Sequence, residues 1–543
     1  MSGVSEDEVD YIVVGSGSAG SVVAGRLAMD GRFRVLLLEA GPRDRSPWIH
    51  LPIGYGMSFY NPRVNWMYRT EPVPGLDGRV IYQPRGKVIG GSSSINAMVY
   101  SRGQPSDFEA WAAMGNPGWG WDEVLAAYRR IESHALGGSR WHGGSGPLAV
   151  KDISREAHPL AHVFVDAGQQ AGHAFNPDLN GGSIEGVGYY QINTKGGFRM
   201  SAARGWLWPA MRARALRVET GALVTRIDLE GRRAVGVTYE QGGATHAVRA
   251  RREVVLCGGA INTPQLLMLS GIGPGEPLRA LGIQVRHALP AVGAHLQDHL
   301  CHDHVYRSRL PSLNDDLLPL AGKIRVGLRY LMTRSGPLAL SVNQAGGFVR
   351  STPDAPQPDI QLYFSPLSYE RAVPGVRALM KPDAFSGFSM SISPCNPTSR
   401  GAIVLASPDP YAAPEVRARY LDTEEDQRVA LIGVHMLRRL AATPALAAII
   451  AQEIKPGPEC MEEADLLADI RARGYSVFHP CGSCRMGPDP ASSVVDARLR
   501  VHGLAGLRIV DASIFPLVTS GNTNAPAMMV GERGADFLLE EAR

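Results

Sequence analysis

Two stretches near the start of the chain decide the fold: YIVVGSGSAG at residues 11–20 and VLLLE at residues 35–39. Each opens with a short apolar run, which is typical of a parallel strand buried on both faces. Between them, Val22, Val23 and Leu27 have a spacing that predicts the buried side of a helix. The order of strand, glycine turn, helix and strand predicts a Rossmann-like βαβ unit, and therefore an α/β fold.

The glycine turn is a candidate dinucleotide site. In such turns the first glycine permits a tight bend, the second lets backbone N–H groups approach a pyrophosphate, and the third lets helix and strand pack closely. Gly15, Gly17 and Gly20 stand at these positions. Glu39 ends the second strand, where a carboxylate accepts from ribose hydroxyls. This context favours a bound adenine dinucleotide over a glycine turn without a ligand.

The pattern after this unit bears on the choice between FAD and NAD. An NAD enzyme usually completes a six-stranded nucleotide domain within about a hundred further residues. Here the chain enters a segment rich in glycine and serine at residues 84–103, and strand-like runs resume only after residue 220. This arrangement favours FAD and leaves NAD as the alternative.

Other elements are predicted from periodicity and capping. Strands are expected at residues 223–229, 234–239, 254–256, 359–365 and 387–393, and a helix at residues 424–441. Ser106 and Glu109 have the spacing of a capping box, and Asp122 is a candidate helix cap. Asn524 and Pro526 indicate the start of the last helix, with Asn524 as its cap.

The bulk composition is that of an ordinary globular protein. A chain of 543 residues predicts two packed domains. The net charge of +3, against 55 basic and 52 acidic residues, gives no support for a nucleic-acid partner. We find no secretory signal and no apolar run long enough for a membrane span, and six cysteines fit a reducing compartment. A cytoplasmic protein is expected.

Four separated segments resemble the glucose-methanol-choline (GMC) oxidoreductase family, and together they cover nearly the whole chain. They are GSGSAG with LEAG (15–20 and 38–41), PRGKVIGGSSSINAMVYSRG (84–103), GGAINTPQLLMLSGIGP (258–274), and the pair HPCGSCRMG (479–487) and VDASIFPLVTSGNTNAPAMMVGER (510–533). The strings GNTNAP (521–526) and NWMYRTEP (65–72) resemble the choline dehydrogenase and aliphatic alcohol dehydrogenase branch.

The resemblance implies bound FAD, oxidation of alcohols, and a Rossmann-like FAD-binding domain interleaved with a substrate domain built on an antiparallel sheet with helices. It implies FAD-domain segments at 1–155, 205–305 and 473–543, and substrate-domain segments at 156–204 and 306–472. The residues expected along FAD are Gly15, Ser16, Gly17, Ser18, Ala19, Gly20, Glu39, Arg85, Gly90, Gly91, Asn96, Ala97, Met98, Val99, Val224, Asp511, Ala512, Asn524 and Pro526. Some relatives attach FAD covalently through a histidine where this chain has Ile95, so non-covalent FAD is expected.

The chemistry requires a proton acceptor for the alcohol hydroxyl while hydride passes to the flavin N5. Histidine is the usual choice because its pKa lies near neutrality. His479 matches the family's catalytic base, with a satisfied structural histidine as the alternative. Some relatives carry a second histidine where this chain has Asn522, whose amide orients the alcohol oxygen but accepts no proton near neutral pH. His479 is therefore expected to act alone as base.

Two cysteines and four histidines suggest other chemistry. Cys481 and Cys484 have the spacing of a redox motif, but without a thioredoxin-type context they are interpreted as packing residues. The run from His295 to His304, in which His295 and His299 have the spacing of one helical face, is a weak metal candidate; no metal is expected.

A near-helical apolar pattern also runs through residues 317–331. It is interpreted as core packing or as a lid over the substrate channel, with contact at a membrane surface as the alternative.

The substrate class is predicted from one position. Choline-type relatives have a glutamate where this chain has Gln344, and loss of that carboxylate removes an attraction for a quaternary cation. A neutral primary alcohol is expected, with choline as the alternative. The electron acceptor is expected to be a quinone or a protein; an oxidase that uses O₂, and a lyase that holds FAD only as structure, are the competing functions.

Overall fold

The computed structural model describes residues 8–371 and 381–542. The described residues contain a sheet of seven strands, and its central strand, Glu8–Val14, runs parallel to both of its neighbours. In spatial order the strands are Arg217–Thr220, Val35–Glu39, Glu8–Val14, Ala244–Leu256, Arg233–Gln241 and Ala222–Glu230, with Leu507–Ile509 beside Ala244–Leu256. The βαβ prediction is confirmed.

A second sheet contains six strands among the described residues, and its pairings are antiparallel. In spatial order its strands are Ala345–Val349, Ile360–Ser365, Gly387–Pro394, Leu300–Ser308 and Ile450–Lys455, with Tyr475–Ser476 beside Leu300–Ser308. In the first sheet Ala222–Glu230, Arg233–Gln241 and Ala244–Leu256 pair antiparallel, and the other pairings are parallel. A nucleotide-type sheet with a parallel centre, joined to an antiparallel sheet, is the fold class that the sequence predicts. Because the first sheet takes strands from both ends of the chain, the chain crosses between the sheets; the five domain limits stay a prediction.

Helices pack on both sheets. The longer ones are Ser18–Asp30, Pro105–Ala113, Trp121–Ile131, Pro159–Gln170, Gly259–Leu269, Leu320–Thr333, Glu424–Ala441, Glu463–Arg473 and Asn524–Glu541. Shorter ones are Pro47–His50, Tyr55–Ser58, Trp208–Arg212, Gly275–Ala280, Leu313–Leu317 and Pro444–Ile449. Ser18–Asp30 and Asn524–Glu541 pack against each other, and so bring the two ends of the chain together. No helix in the described ranges has both the length and the apolarity that a bilayer crossing needs.

Two buried clusters form most of the core. One lies around the first sheet and includes Ile12, Leu36 and Val255; the other lies around the second sheet and includes Leu362 and Met390. In the first sheet, residues 11–14 and 35–38 are continuously apolar because both faces are covered, as the apolar runs in the sequence predict. In the second sheet, Gly387–Pro394 alternates serine with apolar residues, although the whole strand is buried.

The predicted helix caps are wrong by one or two residues. The capping box of the helix Pro105–Ala113 is formed by Gln104 and Asp107, because Pro105 takes the first helical position. Asp122 lies in the first turn after an N-cap at Gly120. In the last helix, Thr523 is the N-cap, and the Asn524 side chain accepts a hydrogen bond from another helix.

Two other local predictions are also wrong. Residues 292–299 do not form a helix, and His295 has a left-handed φ of 63°, so His295 and His299 share no helical face. The pattern at 317–331 does contain the helix Leu320–Thr333, but Leu320, Ile324, Leu328 and Leu331 are exposed, which excludes core packing for these four. The alternative of a lid over the substrate channel stays a prediction.

Candidate active site

The glycine turn lines a large cavity. Gly15 has a φ of 97°, and an added Cβ would lie 2.6 Å from the Cys257 carbonyl oxygen. An added Cβ at Gly20 would lie 2.0 Å from the Gly15 carbonyl oxygen, so this glycine permits the close packing of helix and strand. At Gly17 an added Cβ would meet only the Cys257 oxygen, at 3.9 Å. The space in front of Gly17 is therefore open to the cavity that this residue lines.

The N-termini of two helices meet at this cavity. Ser18, in the first turn of Ser18–Asp30, donates from Oγ to Asn524 Oδ1 over 2.8 Å. Gly17 is the N-cap and has no side chain to accept from the first-turn amides. Because free N–H groups and the helix dipole favour an anion, the part of the cavity beside these two N-termini suits a pyrophosphate.

Glu39 is buried beside the glycine turn. Its Oε2 accepts from Ser16 N at 3.0 Å and from Ser16 Oγ at 2.5 Å, and Oε1 accepts from Gly41 N at 2.8 Å. Burial raises the pKa of Glu39, while these hydrogen bonds favour its charged form. A carboxylate so fixed at the cavity wall has lone pairs left to accept from ribose hydroxyls.

The segment 84–103 lies directly on the glycine turn. An added Cβ at Gly91 would lie 2.6 Å from Gly17 Cα, and Gly90 donates from N to Ser16 Oγ over 3.2 Å. The segment continues along the cavity, and Ile95 lines the wall where some relatives attach FAD. The glycines are needed here because the two backbones touch.

Most residues predicted to contact FAD line this one cavity. These are Gly15, Gly17, Ser18, Ala19, Glu39, Arg85, Gly91, Asn96, Ala97, Met98, Val99, Val224, Asp511, Ala512 and Asn524, together with His479 and Asn522. Four others lie behind the wall, namely Ser16, Gly20, Gly90 and Pro526. Asp511 is held by Gly259 N and Thr263 Oγ1, at 2.8 and 2.6 Å, and by Ser513 N at 2.8 Å. The open glycine turn, the two helix N-termini and the buried carboxylate fit FAD.

His479 is brought to the cavity by a short backbone ladder. Gln297 and Cys481 exchange two backbone hydrogen bonds, of 3.0 and 2.9 Å, and Val477 N donates to His299 O over 2.9 Å. Asp298 Oδ1 also accepts from His479 N over 2.7 Å. The ladder places His299 and His479 side by side.

The hydrogen bonds around His479 fix its proton position. His299 Nε2 lies 2.9 Å from the Cys395 carbonyl oxygen, which only accepts, so Nε2 carries the proton. Burial lowers the pKa of His299 and keeps it neutral, which leaves a lone pair on Nδ1. His479 Nδ1, 3.0 Å away, therefore donates to it. The lone pair of His479 is then on Nε2.

Asn522 completes the row on the other side of His479. Its Nδ2 lies 3.1 Å from His479 Nε2, and its Oδ1 accepts from Gln361 Nε2 over 3.3 Å. The Gln361 bond fixes the amide so that Nδ2 faces His479. Gly521, with a φ of 83°, makes the turn that brings Asn522 here.

Electrostatics keep His479 neutral. Burial, His299 and Arg85 hold the pKa of His479 well below its ordinary value. Arg85 is itself half-buried at the wall and donates from Nη2 to the Phe478 carbonyl oxygen over 2.5 Å; desolvation lowers its pKa to about 10. A neutral imidazole with an unprotonated Nε2 at a cavity wall can accept a proton.

The wall beyond His479 contains residues that sequence reasoning missed. Asp303 lines it, accepts from Tyr475 OH over 2.6 Å, and forms an ion pair with Arg371. Arg371 keeps the pKa of Asp303 below its ordinary value despite burial. Cavity-lining polar residues here also include Asn343, Tyr363, Ser365, Ser389 and Ser391. Asn343 lies just before the strand Ala345–Val349 and the other four lie on Ile360–Ser365 and Gly387–Pro394, so no local motif indicates them.

Gln344 does not line the cavity. Its side chain is buried, and Oε1 accepts from His158 N over 2.6 Å. The prediction that this position faces the substrate is therefore wrong. Whether the cavity favours a neutral or a cationic alcohol therefore depends on Asp303 and Arg371 instead.

Among the described residues, neither the cysteine pair nor the histidine run forms a redox or metal site at the cavity. Cys481 and Cys484 are free, fully buried thiols, and burial raises the pKa of both, so neither forms a ready thiolate. In the described ranges, the group with metal-ligand spacing is His134, His142 and Asp178 rather than residues 295–304.

Comparisons with known proteins agree with this architecture. Family models described as GMC oxidoreductase match residues 9–301 and 397–531. Human mitochondrial choline dehydrogenase is 42% identical over 98% of this chain and 90% of its own length. An alcohol dehydrogenase [acceptor] from Pseudomonas putida is 41% identical over 98% of this chain and 96% of its own. The crystal structure of pyridoxine 4-oxidase from Mesorbium loti has a TM-score of 0.87 and 35% identity, and covers 97% of this chain and 98% of its own. The chain belongs to the GMC oxidoreductase family.

Proposed function

We propose that this chain is an FAD-dependent alcohol dehydrogenase in which Nε2 of His479 takes the hydroxyl proton of the substrate. GMC oxidoreductases are FAD-dependent and oxidise alcohols. FAD, when bound, supplies a hydride acceptor. The observation that carries the residue assignment is the hydrogen-bonded row of His299, His479 and Asn522 at the cavity wall.

In this mechanism each side chain of the row has one task. His299 holds the His479 proton on Nδ1 and so keeps Nε2 available. Asn522 Nδ2 donates a hydrogen bond, first to Nε2 and, with substrate present, to the alcohol oxygen, which it orients without accepting a proton. A positioned base of this kind contributes typically ~10²–10⁴-fold to rate.

The proposed cofactor contacts follow the cavity. Glu39 would bind ribose hydroxyls, the turn at Gly17 with the N-terminus of Ser18–Asp30 would bind the pyrophosphate, and Val224, which lines the cavity, would contact the adenine. Asp511 and Asn524 would hold the middle of the cofactor. Non-covalent attachment is part of the proposal because Ile95 has no nucleophilic side chain.

We propose a neutral primary alcohol as substrate. On the cavity wall beyond His479, the carboxylate that could attract a cationic substrate is Asp303, and its charge is already paired with Arg371. A quaternary ammonium group would have to compete with this guanidinium, whereas a neutral chain need not. The proposed electron acceptor is a quinone or a protein, as in a dehydrogenase.

Anaerobic stopped-flow reduction with a panel of alcohols tests the proposal. Neutral primary alcohols should bleach the flavin absorbance faster than choline, and the reduced enzyme should persist on exposure to air. Rapid peroxide formation would indicate an oxidase, and failure of every alcohol to bleach the flavin would support the lyase. A clear preference for choline would contradict the substrate assignment.

A further inference from the structure

The helix Leu320–Thr333 exposes a continuous apolar stripe. Its exposed side chains are Leu320 (74%), Ile324 (53%), Leu328 (53%), Leu331 (65%) and Met332 (77%). Among the described residues, fourteen large hydrophobic side chains are exposed, and these five lie within one helix. Single exposed apolar residues are ordinary, but a contiguous set marks an interaction surface.

The opposite face of the same helix fixes it to the body of the protein. Gly322, Val326 and Tyr330 are buried at a spacing of four residues. Tyr330 OH donates to Gly197 O over 2.9 Å, and an added Cβ at Gly322 would lie 2.4 Å from Asp316 O. The buried face therefore anchors the helix to the protein, and the apolar stripe points away from the core.

Basic side chains border the stripe on both sides. At about 100° per residue, Lys323 lies on one border and Arg325 and Arg329 lie on the other. Arg334 follows the helix as its C-cap, with a left-handed φ of 54°, and its guanidinium lies over the Phe198 and Tyr330 rings. All four are exposed, and Arg325 pairs with Asp316. Residues 320–334 contain no aspartate or glutamate. An apolar face with basic borders is the pattern of a helix that lies in the surface of an anionic membrane.

We propose that this stripe binds an anionic lipid bilayer, with the helix lying in the plane of the headgroups. Its 14 residues give a length of about 21 Å, which is shorter than the ~30 Å hydrocarbon core, so it lies on the bilayer rather than across it. A second copy of the chain fits the stripe less well. A two-fold contact would bring basic borders against basic borders.

The stripe is close to the cavity. Leu313 and Leu317, on the short helix before it, pack in one cluster with Tyr55, Met98 and Val342. The last three also line the cavity. The helix Leu320–Thr333 packs on this short helix, so one packed element connects the stripe with the cavity wall.

Flotation with lipid vesicles tests this proposal. The wild-type holoenzyme should float with vesicles that contain phosphatidylglycerol and bind much more weakly to pure phosphatidylcholine. The combined variant Leu320→Ser, Ile324→Ser, Leu328→Ser and Leu331→Ser should lose at least about tenfold in partitioning. The control changes four exposed apolar residues elsewhere (Met29→Ser, Val80→Ser, Met114→Ser and Leu136→Ser) and should bind as the wild type does.

Three outcomes would overturn the proposal: no binding of the wild type to anionic vesicles, equal binding of the stripe variant, or a wild-type dimer that the stripe variant abolishes. The last result would assign the stripe to a second copy. Thermal unfolding and turnover with a soluble acceptor check that the stripe variant is folded. A milder variant, Lys323→Gln with Arg329→Gln, should weaken binding to anionic vesicles and leave binding to pure phosphatidylcholine unchanged. It tests the proposal if the first variant unfolds. Vesicle binding is measured without turnover, so its failure is distinct from failure of the proposed activity.

Discussion

His299 is predicted to set the proton position of His479 without touching the substrate. In His299→Leu the buried Nδ1–H of His479 loses an acceptor that lies 3.0 Å away. An unsatisfied buried donor costs about 1–3 kcal/mol. Since 1.36 kcal/mol corresponds to a factor of ten, the rate of flavin reduction should fall by about 5- to 150-fold.

His299→Asn is the matched control, because the asparagine oxygen can stand where Nδ1 stands in histidine and can still accept from His479. Both variants are compared with the wild type by anaerobic stopped-flow at saturating alcohol, after the FAD content is measured. Asparagine should recover most of the rate that leucine loses. If leucine reduces as fast as the wild type, or if the two variants are equally slow with full FAD, the tautomer argument is refuted.

Three further predictions concern the same cavity. In Asn522→Asp the new carboxylate raises the pKa of His479; because only neutral His479 accepts a proton, the acid limb of the kcat/KM profile should move to higher pH, and an unmoved limb would count against Asn522 as its neighbour. Gly17→Val fills the open space at the glycine turn and should weaken FAD binding by at least about tenfold, or 1.4 kcal/mol, in a reconstitution titration. Gly327→Ala is the control, because an added Cβ there meets nothing within 4 Å, and it should bind FAD with the wild-type affinity in the same titration. Acid precipitation should release yellow FAD into the supernatant; a yellow pellet would show a covalent link.

The fold was predictable where the signal is local. Glu8–Val14 and Val35–Glu39 are short apolar runs because both faces of a parallel sheet are covered, and the glycines between them meet a steric demand that only glycine satisfies. The helix caps were predicted less well. Gln104 rather than Ser106 is the cap because Pro105 fixes the helix start, a competition between neighbouring signals that periodicity does not resolve.

The site was predictable where a motif is contiguous. His479 and Asn522 follow from family strings, and both line the cavity. The sequence indicates His299 only as a metal candidate, because its role depends on a backbone ladder between residues 297–299 and 477–481 that no sequence pattern reveals. Asp303 shows the same limit, because its pairing with Arg371 forms only in the folded second sheet.

Anaerobic flavin reduction by His479→Ala tests the central claim most directly. FAD should remain bound, because His479 is not among the residues proposed to hold the cofactor, while reduction by the best alcohol should slow by ~10²–10⁴-fold. Reduction at the wild-type rate with full FAD would contradict the assignment of His479 as the base.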